Sequence, residues 1–501
     1  MLRHFYLCFL FFFAIALSAE ANAYRYRVYL DGKPDSKPVA LSERAQQRRS
    51  QLAIETDEMD YSVSESYLQQ LREAGLVILA RSRWLNTAVV MRSDSLDVLD
   101  ETWSRLPFVT KVETLTKPDV KPQLIAIPEQ KGDIRTRSTV MIENNTSPLR
   151  EVNAYESLYA AGHRGRGMLI ALFDGGFTRL NECDFLFDKV DFVYDMYVPD
   201  AQDSIFACDT HGFQCMSVMA CLETEGVCGT AQDARYCLFR TENSNFECAI
   251  EEDMWVVAAE MADSLGVDII SSSLGYNEFD GNLLTHSRSE LAQNTAIVSQ
   301  GAKIASQKGM LICNSAGNEG AKEWEMLLFP ADTEEVLAIG AYSPELVAAK
   351  FTSKGFLEPY VKPDVAARGQ NCYTLVPTNQ GFEVRTNASG TSFSTPLVAG
   401  LCASLWSAVP EMTPAELRQV VCESASDSSS PTILTGYGLP DFAIALQKAR
   451  ELHSTAIEQI TTEAAASETT ASARYYNMMG QPLSAPPAKG MYIDRGRVVT
   501  R

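Results

Sequence analysis

The chain has 501 residues, 46% of them hydrophobic and 21% charged, and a formal net charge of −21. That length exceeds one average domain and provides enough apolar residues for a sizeable packed core. The acidic balance excludes bulk nonspecific binding to nucleic acid, since nothing would neutralise the phosphates, and fits a solvated acidic surface.

At the N-terminus, Arg3 and His4 precede an apolar run from Phe5 to Leu17, followed by small residues ending Ala21-Asn22-Ala23. The run is too short to span a bilayer comfortably and ends in a small-x-small site. Residues 1–23 therefore read as a cleaved secretory signal peptide, with an uncleaved anchor as the alternative. No later apolar stretch reaches the roughly 18 residues a membrane helix needs. An exported chain meets an oxidising environment. Seven of its twelve cysteines fall between Cys183 and Cys248, so disulfides are expected there rather than metal ligands. No C-x-x-C pair occurs, which weakens a zinc reading.

Residues 24–118 read as a small α+β unit. Tyr24–Leu30 alternates like a half-buried strand, and residues 64–74 form a Ser-capped helix. Residues 76–80 and 87–91 are strands, 94–106 a second helix and 109–115 a last strand. This order suits a ferredoxin-like fold. Residues 119–148 are polar, carry Pro, Lys and Arg, and read as an exposed linker.

From residue 149 to 452 the texture changes. Continuous apolar strands are expected at 167–173, 267–271, 310–313 and 336–340, and helices at 254–265, 292–308 and 393–408. Buried strands alternating with helices imply a mostly parallel sheet covered on both faces, with sites at the carboxyl ends of its strands. Residues 453–473 are rich in Thr, Glu, Ala and Ser and read as a flexible linker. Residues 474–501 regain short strands and form a small β module.

Four segments carry chemistry. Asp174 closes an apolar strand and is followed by Gly175-Gly176; alone, such an Asp is more often a cap. His211 opens a small-residue helical stretch, where the positive end of the helix dipole favours a neutral, basic imidazole; a surface or capping His is the plain alternative. Asn318 sits in a loop after the buried strand ending at Cys313. Its amide could donate to an oxyanion or merely serve a turn. Ser392 stands at the start of an apolar helix within Gly390-Thr-Ser-Phe-Ser-Thr-Pro396. It could be an N-cap, or a hydroxyl beside free N–H groups that suit an anion.

Together these segments resemble the subtilase family, and Gly-Thr-Ser-x-Ser-x-Pro is its most specific mark. Ser272-Ser-Leu-Gly275, Val361–Ala366 and Gly436–Asp441 extend the likeness over roughly residues 149–450, and the N-terminal unit resembles the family's inhibitory propeptide. The resemblance implies a subtilisin-like α/β fold and a secreted serine endopeptidase made as a zymogen. Its catalytic residues would be Asp174, His211 and Ser392, with Asn318 at the oxyanion. Ser273, Leu274 and Gly275 would pair with the backbone of protein or peptide substrates. The chain's own propeptide would be its intramolecular inhibitor. No cofactor or metal is implied; structural calcium is common in the family, but no ligand run here is specific enough to name.

Three positions depart from the family's usual pattern: Gly175, Phe213 and Arg368. They leave room for a catalytically impaired protein that binds at the cell surface, and the cysteine-rich stretch 208–248 reads as a disulfide-braced insertion. A zinc protein built on that cluster is a third alternative. The tail around Tyr475–Ser484 and Lys489–Ile493 resembles the C-terminal sorting modules of Bacteroidetes exported proteins, or else is a hairpin without a role.

Overall fold

The computed structural model describes residues 24–92, 102–103, 105–116, 155–222, 228–243, 247–453, 475–477, 482–483, 491–494 and 497–500. The expected signal peptide, the linkers 119–148 and 453–473, and most of the helix expected at 94–106 lie outside these residues. The chain divides after Gln447 into two units.

The N-terminal unit is a four-stranded sheet of β1 (Tyr24–Leu30), β2 (Val77–Ser82), β3 (Thr87–Arg92) and β4 (Val109–Thr116). Its order is β2-β3-β1-β4, and every neighbouring pair is antiparallel, as a ferredoxin-like βαββαβ path requires. Two helices accompany it, α1 (Glu43–Gln51) and α2 (Glu65–Glu73), each capped by a serine hydroxyl, Ser42 and Ser64. Helix α2 buries Leu68 and Leu71 against the sheet residues Tyr26, Val28 and Val90. Helix α1 has no apolar stripe; it buries Arg48 and Arg49 instead. Those two guanidiniums end in ion pairs with Asp263 and Asp60, which explains why hydrophobic periodicity gave no warning of this helix.

The larger sheet has seven strands: β5 (Leu169–Asp174), β6 (Val190–Asp195), β7 (Arg235–Arg240), β8 (Ile269–Ser272), β9 (Leu311–Ser315), β10 (Leu337–Tyr342) and β11 (Val365–Arg368). Their order is β11-β10-β9-β8-β5-β7-β6, parallel throughout. Strands β5, β8, β9, β10 and β11 are buried along their whole length, the state in which apolar side chains occupy both faces. Around the sheet lie α3 (Tyr155–Ala160), α4 (His211–Ala220), α5 (Ile250–Leu265), α6 (Ile297–Gln307), α7 (Thr391–Ala408) and α8 (Pro414–Ser424). An antiparallel hairpin, β12 (Cys372–Thr378) and β13 (Gly381–Ala388), leads directly into α7.

Helix α5 starts four residues before its apolar pattern. Its first turn holds Glu251, Glu252 and Asp253, carboxylates that favour the positive end of the helix dipole. It stops at Gly266, whose φ of 83° is the left-handed cap that glycine adopts without penalty.

The cysteines depart from expectation. No disulfide joins the eleven from Cys183 to Cys422. The stretch 208–248 is not a braced insertion: it supplies helix α4 and the interior strand β7. Its thiols are spread over separate elements and, Cys208 apart, are buried as small apolar groups. The C-terminal unit contains a four-stranded antiparallel sheet, Tyr475–Asn477, Pro482–Leu483, Met491–Asp494 and Arg497–Thr500.

Candidate active site

Strand β5 ends on Asp174, which is 1% exposed. The chain then turns sharply at Gly176, where φ is 153° and an added Cβ would lie 2.5 Å from the Asp209 backbone N. This close approach brings the segment before α4 against the end of β5. The Asp209 carboxylate accepts from the His211 backbone N–H at 2.9 Å, and Gly212 N–H donates to Gly176 O at 3.1 Å. A Cβ at Gly212 would meet that oxygen at 2.6 Å and Asp174 Cβ at 2.9 Å, so glycine is required for helix and strand to touch.

This approach places His211 Nδ1 at 3.0 and 2.9 Å from the two Asp174 carboxylate oxygens. A carboxylate only accepts, so Nδ1 carries the proton, and in the neutral imidazole Nε2 is bare. Burial pushes the imidazole pKa down, but the Asp174 carboxylate and then Cys215 outweigh it and hold the pKa well above its ordinary value. Cys215 lies one turn along α4, its sulfur 3.8 Å from His211 Nδ1 and 3.4 Å from the Ser392 carbonyl, to which it donates. Burial raises its own thiol pKa. The sequence signal for Cys215 is its i, i+4 spacing from His211 on a helix.

Ser392 occupies the first turn of α7 and is 7% exposed. Its hydroxyl donates to Ser273 O at 3.4 Å, and Ser273 Oγ donates back to Ser392 O at 2.8 Å. Among the described contacts no hydrogen bond joins Ser392 Oγ to His211. The two side chains line one open cleft of about 550 Å³, and the Phe393 ring lies 5.7 Å from the imidazole. Such bonds often tighten only when substrate arrives.

Asn318 lines the same cleft. Its Oδ1 accepts from the Thr391 backbone N at 2.9 Å and from Thr391 Oγ1 at 3.0 Å. With the oxygen anchored, the NH₂ end is the donor left for the cleft. Thr391 thus positions the Asn318 amide, and its sequence signal is its place inside the Gly-Thr-Ser signature. The Ser392 N–H, in the first turn of α7, has no intrahelical carbonyl to meet. Ser273, Leu274 and Gly275 follow β8 directly; the Leu274 carbonyl accepts from Asn314 Nδ2 at 3.0 Å, which fixes this edge.

The three departures each have a local role. A Cβ at Gly175 would find only ordinary contacts, Asp209 Cβ at 3.7 Å being the nearest, and the Gly175 N–H donates to Asp174 Oδ1 at 2.8 Å. Phe213 is buried and stacks on Phe382 of β13 at 5.5 Å, an apolar anchor between α4 and the hairpin. Arg368 donates to the Gln370 and Asn371 carbonyls and lies over Tyr373.

Two groups of three side chains could hold a cation among the described residues, Asp174 with His211 and Cys215, and Glu242 with Glu247 and Glu251. Neither contains more than one cysteine, so the zinc reading has no thiolate cluster to rest on. Glu242 is buried, accepts from Tyr276 Oη, and burial raises its carboxyl pKa well above the ordinary range. No helix among the described residues is long and apolar enough to cross a membrane.

Residues 116–439 match the Subtilase family, and residues 25–127 match the Peptidase S8 propeptide domain of Bacteroidota. Subtilisin DY of Bacillus licheniformis is 24% identical over 275 residues, 54% of this chain and 88% of that protein. The subtilisin-like protease PopC of Myxococcus xanthus is 35% identical over 26% of this chain and 27% of its own length. Serine protease AprX of Bacillus subtilis is 29% identical over 31% and 37%. The chain thus spans well under half the length of these last two. Among solved structures, fervidolysin of Fervidobacterium pennivorans, a keratinolytic enzyme related to subtilisin, superposes with a TM-score of 0.58 at 16% identity, over 85% of this chain and 61% of that one.

Proposed function

The chain belongs to the subtilase family, and on that premise we propose that it is a secreted serine endopeptidase, made as a precursor, working through Asp174, His211 and Ser392. The observation that carries this reading is the pairing of buried Asp174 with the part-exposed imidazole of His211, facing a cleft that Ser392 and Asn318 also line. Ser392 Oγ attacks the scissile carbonyl as His211 Nε2 takes its proton; the imidazolium then protonates the leaving amine. Asp174 fixes the tautomer and stabilises the imidazolium. Asn318 Nδ2 and the Ser392 N–H hold the oxyanion. The edge Ser273–Gly275 receives the acyl-side backbone as an added strand.

The domain plan is signal peptide 1–23, propeptide 24–118, linker 119–148, peptidase 149–452, linker 453–473 and a sorting-like β module 474–501, consistent with export to the medium or the cell surface. Docking of the propeptide unit supports latency: Arg27, Arg48, Arg49 and Arg83 all end in ion pairs with carboxylates of α5. A fluorophosphonate probe tests the reading. Labelling of the mature protein, lost in Ser392→Ala, is expected. No labelling at any pH from 5 to 10 refutes it.

A further inference from the structure

The cleft beside His211 is lined by residues other than the edge 273–275. Ser273 is tied to Ser392 on one side, whereas the cleft is lined by His211 and Gln214 of α4 and by Arg385, Asn387 and Ser389 of β13 and its exit. On the proposed function, from which this inference starts, the leaving amine must sit at His211 to receive its proton. The peptide beyond that amine therefore runs over His211 into this cleft.

Arg385 is the one permanently charged side chain among those lining it, and it is exposed. Among the described ion pairs none involves Arg385, although Glu383 lies two residues earlier on the same strand. The hairpin that carries it is fixed to α4. Thr374, the register partner of Arg385, donates to Gln214 Oε1 at 3.2 Å, and Leu375 N–H donates to Ser217 Oγ at 2.9 Å. Phe213 stacking on Phe382 adds an apolar tie. His211 heads that same helix, so the guanidinium and the imidazole are held by one rigid pairing of helix and hairpin.

We infer that Arg385 is a specificity residue for the leaving-group side, selecting substrates with a carboxylate at the first or second residue after the scissile bond. A guanidinium fork matches a carboxylate in two hydrogen bonds. The carboxylate could be an acidic side chain or a chain terminus; the open cleft, with Arg385 two strand residues before Asn387, favours a side chain.

The test uses the mature enzyme and internally quenched peptides that differ only at those two positions, Glu, Gln or Lys, all with amidated C-termini. A further Gln peptide that ends at the second position with a free carboxylate separates the terminal source. The Glu-to-Lys ratio of kcat/KM is read within each enzyme sample, so the active fraction cancels. Wild type is expected to favour Glu over Lys by about three- to tenfold, the scale of a partly solvated ion pair. Arg385→Gln brings the ratio near one and Arg385→Glu inverts it. A ratio unmoved in both variants, or a preference confined to the free carboxylate, overturns the side-chain assignment. Absence of fluorophosphonate labelling in wild type overturns the proposed function itself and this inference with it.

Discussion

Replacing Arg27 by Met removes the central clamp between the propeptide and the peptidase. Arg27 and Asp253 are each 2% exposed. The guanidinium donates to both Asp253 oxygens at 2.6 to 3.0 Å, to Ala249 O at 3.1 Å and to Glu113 at 2.8 Å. Breaking a buried pair by removing one partner costs about 3–5 kcal/mol, because the other charge stays desolvated. A ceiling follows from titration. Stranded Asp253 can escape by taking a proton, which at pH 7 costs about 1.4 kcal/mol for each unit above its ordinary value of 3.8, or roughly 4.4 kcal/mol in all. At pH 5 the same ceiling is about 1.6 kcal/mol. The assay is amide hydrogen exchange on the full-length Ser392→Ala precursor, where opening of the interface exposes β1 and β4. Protection there should fall by at least about a hundredfold at pH 7 and by about fifteenfold or less at pH 5. Arg27→Met with Asp253→Leu should recover much of the loss. A change under threefold at pH 7, or a double variant no better than the single, refutes the clamp.

Three further outcomes are expected. Asn318→Ala should lower kcat by about 10²–10³ with little change in KM, the usual cost of one oxyanion donor, as read on a peptide substrate. Because His211 must be neutral to accept a proton, its raised pKa places the acid limb of the kcat/KM profile above pH 6.5. Cys215→Ser, which removes the second of the groups that raise that pKa, should move the limb downward; an unmoved limb counts against the Cys215 contact. His286 sits between Glu252 at 3.2 Å and Glu290 at 2.8 Å. Burial lowers its pKa, but those carboxylates outweigh it and raise it to about 9. A raised folded pKa gives stability that is complete below about 6.5 and is lost as pH rises through about 9, at most ~3 kcal/mol. His286→Gln should therefore flatten the melting temperature between pH 6.5 and 9, and a slope equal to wild type would count against the pairing.

The buried strands β5, β8, β9 and β10 were legible because each is a short continuous apolar run, the pattern of a strand covered on both faces. The ferredoxin-like unit was legible for the complementary reason, its alternating β1 and its Ser-capped α2. What escaped was held by charge or by context. Strand β6 reads Val-Asp-Phe-Val-Tyr-Asp and lies at the sheet edge, so its polar residues hid it. Strand β7 begins and ends in arginine within the cysteine-rich stretch, so its apolar centre is only four residues long and flanked by charge. Its Arg240 is buried through an ion pair to Asp195 at 3.1 Å, a compensation that only the fold reveals. The hairpin β12–β13 has mixed polarity because one face packs on α4 while the other meets solvent, and so Arg385 had no context in the sequence.

The site residues show a similar division. Asp174, His211, Asn318 and Ser392 could be picked out because each follows or opens a strongly patterned element. The contacts that tie them together could not. Gly212 permits helix α4 to touch β5, Thr391 turns the Asn318 amide by holding its oxygen, and Phe213 docks the hairpin that delivers the chain to Ser392. Two of the three departures from the family pattern supply tethers of their own: Phe213 stacks on Phe382, and Arg368 braces the loop before β12 through two carbonyls. Gly175 leaves only space at ordinary contact distance, while its N–H still holds Asp174. The impaired alternative rests on these three positions together with the sorting-like tail. Gly175 N–H still holds Asp174, Phe213 ties α4 to the hairpin and Arg368 braces the loop before β12, so these contacts do not favour that alternative.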